Sequence, residues 1–117
     1  MDKAAYYEDI AMGYSASYGL NLNEVGVYMQ PLERGRACHL QFSFPCDLAN
    51  DSEKENISSL TAELSKQLID EGAFFTRPYG PVADMVYRRS ASYTAMLKEL
   101  KKVYDPKGIL NPGKLCF

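Results

Sequence analysis

Residues 24–44, EVGVYMQPLERGRACHLQFSF, decide the fold. Val25, Val27 and Met29 alternate with Glu24, Gly26, Tyr28 and Gln30, which predicts a strand over 24–31. Cys38, Leu40, Phe42 and Phe44 alternate with Ala37, His39, Gln41 and Ser43, which predicts a second strand over 36–44. A two-residue turn at Arg34-Gly35 joins them as an antiparallel hairpin. That register sets Val25 opposite Phe44, Val27 opposite Phe42 and Met29 opposite Leu40. A slip of one residue would throw the apolar set onto the other face. The same register sets Gln30 opposite His39 on the more polar face.

Helical spacing flanks the hairpin. Ala4, Tyr7, Ala11, Tyr14 and Tyr18 predict a helix over 2–18, with Gly19 as its stop. After the polar loop Asp47–Asn50, Ser52 and Glu55 stand at capping-box spacing. A helix then runs to about Glu71, its stripe made of Ile57, Leu60, Leu64 and Leu68, with Gly72 at its end. Ala73–Arg77 reads as a short third strand, and Pro78-Tyr79-Gly80-Pro81 breaks the chain. A last helix is expected over Ser92–Tyr104 with Met96, Leu97, Leu100 and Val103 inward. The order predicts an α+β fold, a mostly antiparallel sheet with helices packed on one face. Three strands are few for a free sheet, so the chain reads like the second half of something larger.

The 117 residues suffice for one small domain, 1–117, and leave no room for a separate dinucleotide-binding domain of roughly 100 residues. The hydrophobic share of 46% and the charged share of 24% are those of an ordinary globular chain. A net charge of −2 and the lack of any basic block exclude nucleic acid as the expected partner. No apolar run approaches the ~20 residues of a membrane span, and no secretory signal is visible. Three cysteines without a CxxC predict reduced thiols and a cytoplasmic protein. A single histidine makes a metal site an unexpected reading. P-loop, GxGxxG, HExxH and GxSxG motifs are absent.

The residues that carry chemistry are therefore few. His39 and Gln30 share the polar sheet face. Arg77 stands beside Phe74, Phe75 and Tyr79, where a planar cation suits either a surface carboxylate or an anionic ligand in an aromatic pocket. Lys114 lies in Asn111-Pro112-Gly113-Lys114 and taken alone reads as a solvated tail lysine.

The tail YDPKGILNPGK, residues 104–114, resembles the C-terminal signature of FAD-linked oxidases. Gly35–Leu40 and the stretch from Gly72 through Arg77 to Asp84 look like the end of the 4-cresol dehydrogenase and vanillyl-alcohol oxidase family. The resemblance covers residues 24–117 and implies part of a ferredoxin-like cap domain. It implies that the chain is the C-terminal substrate-cap portion of a flavin-dependent oxidoreductase, incomplete without an FAD-binding domain in cis or on a separate chain. It puts His39 in the place of the active-site histidine. It puts Arg77, 38 residues later, in the place of the phenolate-binding arginine. Gln30 falls where cresol-oxidising members have a glutamate. Tyr79 becomes a pocket residue. Asn111 and Lys114 fall beside the flavin. Thr76 stands where the family has tyrosine, which removes one phenolate donor. The residue that links flavin covalently in the family would lie upstream of Met1.

The implied chemistry is physically coherent. Hydride loss from the benzylic carbon of a 4-alkylphenol is helped by deprotonation, and an arginine favours the phenolate. The flavin carries the redox step while the protein orients a small aromatic substrate. The competing reading is a free-standing α+β binding or oligomerisation module that kept the cap fold. Its strand edges would pair across a homo-oligomer.

Overall fold

The computed structural model describes residues 3–117. They are helix α1 (Ala4–Ser17), strands β1 (Gly26–Leu32) and β2 (Ala37–Ser43), and helices α2 (Asp51–Asp70), α3 (Pro81–Arg89) and α4 (Ala91–Tyr104). The fold is α+β, with four helices and a two-stranded antiparallel sheet. It divides into two compact units, Met1–Leu64 and Ser65–Phe117.

In the first unit the hairpin has the register its alternation predicts. Val27 pairs with Phe42, Met29 with Leu40 and Gln30 with His39. The Arg36 N–H donates to the Glu33 carbonyl at 3.3 Å and closes the turn over Arg34 and Gly35. Both central residues have positive φ, 59° and 84°, which matches the right-handed twist of the strands they join. Gly35 takes this conformation without steric cost, and Arg34 bears it one residue earlier. Helix α1 packs against β2. It buries Ala11 and Ser15, whose hydroxyl donates to the Ala11 carbonyl at 2.8 Å. Past the end of α1, Gly19 (φ 75°) takes the left-handed conformation and donates to the Ala16 carbonyl at 3.0 Å. Among the described residues, Leu60, Leu64 and Val25 are the other buried apolar side chains of this unit.

The capping of α2 falls two residues before the expected pair. Asn50 Oδ1 accepts from the Ser52 and Glu53 N–H groups at 3.1 and 3.4 Å, and Glu53 reaches back to the Asp47 N–H at 2.9 Å. Asn50 is thus the cap, since an amide oxygen serves as well as a hydroxyl there. Ser52 is left inside the first turn.

In the second unit α2 ends as its glycine predicts. Gly72 (φ 89°) donates to the Ile69 carbonyl at 3.0 Å, and Ala73 donates to Leu68 at 2.8 Å. This double bond pattern needs a left-handed residue, which glycine supplies. Ala73–Arg77 does not form the expected third strand. It runs from that stop to buried Pro78 without a ladder partner among the described residues, and Phe74 is 86% exposed. The segment after Pro81 is instead helix α3, with proline at its first position. Proline lacks the N–H that a first helical residue leaves unpaired. Arg89 at the end of α3 donates to the Ile69 carbonyl and lies 3.5 Å from Asp70, so it closes the C-terminal end of α2.

Helix α4 has the expected bounds but not the expected inward face. Met96, Leu100 and Val103 are exposed, and only Leu97 of that stripe is half-buried. Helical spacing fixes which residues share a face and does not supply the surface that covers it. No helix among the described residues is long and apolar enough to cross a membrane.

Candidate functional site

Beyond α4 the chain is organised by a buried carboxylate. Asp105, 6% exposed, accepts from the Ile109 N–H at 3.0 Å and the Leu110 N–H at 2.9 Å. Lys101 Nζ lies 2.5 Å from Asp105 Oδ2, the oxygen that also accepts from Leu110, and itself donates to the Leu110 carbonyl. The Lys101 ammonium holds the Asp105 carboxyl below the ordinary carboxylate value. The two backbone N–H groups act in the same direction, and burial opposes them. Two tight turns follow, Asn111 to Lys114 and Lys114 to Phe117.

These turns bring the tail to the start of α3. Tyr79, Gly80, Asp84 and Gly113–Phe117 line an open cavity of about 370 Å³. Tyr87, half-buried on α3, has its phenol pushed above the usual value by burial, with Cys116 and Tyr93 adding to the effect. The cavity is at the small end of the ligand-pocket range, roughly 300–1,000 Å³.

The candidate residues divide as follows. Tyr79 and Lys114 meet in the cavity lining. Asn111, with φ 47°, accepts the Lys114 N–H at 3.3 Å and so shapes the turn that presents it. Arg77 is exposed and outside the lining, and among the described residues it has no ion pair. His39 and Gln30 face each other across the hairpin of the other unit. His39 is half-buried, with the Tyr28 ring edge-on at 6.4 Å. Lys101 and the role of Asp105 are not among the sequence expectations. Their signal was available as a lysine four residues before an acid at a helix end, directly ahead of Pro-Lys-Gly.

An exposed ammonium and a phenol stand at this open cavity, groups of the chemical type that one edge of a flavin uses. The flavin pyrimidine is rich in acceptors and gains negative charge on reduction. Residues 81–115, which include Asp84, Gly113, Lys114 and Leu115 of this lining, match the family described as FAD linked oxidases, C-terminal domain. Over that segment the chain is similar to the C-terminal domain of FAD-linked oxidases, which supports FAD as the cofactor. The chain is 31% identical over 75 residues to glycolate oxidase subunit GlcD of Bacillus subtilis (strain 168). That alignment covers 59% of the chain and 16% of the relative, so the chain spans less than a fifth of the relative's length. Both matches stop at FAD-linked oxidases and do not reach the 4-cresol dehydrogenase and vanillyl-alcohol oxidase branch. No solved structure matches the chain.

Proposed function

We propose that the chain is the C-terminal cap portion of a flavin-dependent oxidoreductase acting on a small anionic substrate. It works with an FAD-binding domain, in cis or on a separate chain. The observation that carries this reading is a coincidence of position. The cavity residues Asp84, Gly113, Lys114 and Leu115 lie inside the segment that matches the FAD-linked oxidase family. When bound, FAD supplies the hydride acceptor.

The roles of this chain's own residues follow from their chemistry. Lys114 holds a positive charge at the cavity, and Asn111 fixes the turn that offers it. Tyr79 contributes an aromatic wall with a hydroxyl at its edge. Arg77, a permanent planar cation without a carboxylate partner, binds the substrate anion in a two-pronged contact. His39 exchanges a proton or a hydrogen bond, with Gln30 beside it as a neutral partner. Gln30 has no carboxylate with which to act as a base.

The narrower form of this reading is a phenol-like aromatic substrate, whose anion Arg77 would stabilise. A second form is a small 2-hydroxy acid, supported by the identity with the glycolate oxidase subunit. A carboxylate satisfies the same arginine. The test is steady-state kinetics of the complete FAD-loaded enzyme on 4-alkylphenols and 2-hydroxy acids. Arg77→Ala should lower kcat/KM for the accepted class by about tenfold or more, equivalent to the ~1.4 kcal/mol of a lost charge-assisted contact. Unchanged kinetics would remove Arg77 from the site. Which class turns over separates the two forms.

A further inference from the structure

We infer that Lys101 is a positioning residue for the tail that presents Lys114. This rests on the reading of the cavity given above. Lys101 sits in the last turn of α4 and touches the tail near its beginning, middle and end. Its ammonium meets Asp105, donates to the Leu110 carbonyl, and lies 5.4 Å from the centroid of the Phe117 ring. Phe117 is itself part of the cavity lining. Asp105 completes the device by accepting the Ile109 and Leu110 N–H groups.

Between the second and third anchors the chain makes both tight turns, and Lys114 belongs to each. Its N–H donates to Asn111 at 3.3 Å, and its carbonyl accepts from Phe117 at 3.1 Å. Leu115 (φ 58°) and Asn111 (φ 47°) are non-glycine residues in the left-handed region, which persists only where surrounding contacts impose it. The Lys101 contacts to Leu110 and Phe117 bracket both residues. The Lys101 side chain is 21% exposed and that of Asp105 only 3%, so the pair is held away from most solvent competition. A buried pair of this kind fixes arrangement more than it adds stability. A single ammonium thus sets the path of the whole tail.

Amide hydrogen exchange on the full 117-residue chain tests this. Lys101→Met keeps the stem and removes the charge. It should speed exchange at Lys114 and Phe117 by about tenfold, while the Asp105 amide, bonded within α4, stays protected. Lys101→Arg should recover most of that protection. Unchanged exchange at Lys114 and Phe117, or no recovery with arginine, overturns the inference. If circular dichroism shows that Lys101→Met loses helix, Phe117→Leu decides instead, because it leaves the Lys101–Asp105 pair intact. It should free the Phe117 and Lys114 amides and leave Ile109 and Leu110 protected. Equal exchange at all four sites overturns the inference. The flavin midpoint potential of Lys114→Ala in the complete enzyme tests the site reading separately. An unchanged potential sinks that reading and leaves the exchange result to stand.

Discussion

The two units are held in different ways. The first buries Ala11, Val25, Leu60 and Leu64, with one hydroxyl that bonds within its own helix. The second buries Leu68, Ile69, Pro78 and Ala83 with the hydroxyl of Ser65, and adds the charged side chain of Asp105. Apolar burial is non-directional and tolerates small shifts. A buried carboxylate with three partners demands a fixed geometry and fails when one partner is lost. The first unit should therefore respond most to volume, and the second to charge.

The largest expected effect is on volume. Leu60 is fully buried on α2. Leu60→Ala should cost about 2–5 kcal/mol, since the lost transfer energy is joined by that of the cavity left behind. Urea unfolding followed by circular dichroism measures it. A loss under ~1 kcal/mol would mean that the first unit collapses around the gap, and the contrast between the units would weaken.

Acid probes the other side of the comparison. The Asp105 carboxyl titrates lower in the folded chain than in the unfolded one, chiefly because of the Lys101 ammonium. Its contribution is complete above the unfolded carboxylate value of about 3.9 and is lost as pH falls below that toward the folded value. As pH falls below about 3.9, the Ile109 and Leu110 amide resonances should begin to shift, while those of the hairpin pair Gln30 and His39 should not follow that step. Asp105→Asn should abolish that acid step. An identical pH course in both units would erase the distinction between them.

The same distinction explains what the sequence discloses. The hairpin register is legible because side chains alternate with period two and only one register keeps Val27, Met29, Leu40 and Phe42 together. The stops at Gly19 and Gly72 are legible because each glycine follows an apolar stripe. The run Ala73–Arg77 has strand-like composition, yet a strand also needs an open neighbouring edge, and composition does not reveal one. Helix α3 was hidden by the breakers before it, although Pro81 is as good a beginning as it is an interruption. At the candidate site, Lys114 and Tyr79 could be named, but their meeting depends on the path of the tail. That path is written in Lys101 and Asp105, whose types are common on helix surfaces and whose burial appears only in three dimensions.

The smallest expected effect falls on α4. Val103 belongs to the stripe that helical spacing assigns to the interior, yet it is 71% exposed. Val103→Ser removes two methyl groups that are already in water, so it should change the stability of the chain by no more than ~0.5 kcal/mol. The contrast with Leu60→Ala is the useful quantity, because both residues sit in helices at positions of the same apolar periodicity. Spacing alone treats them alike, whereas burial predicts costs that differ severalfold. A loss at Val103 as large as that at Leu60 in the same urea series would place its side chain in a core and restore the inward face that the sequence implies for α4.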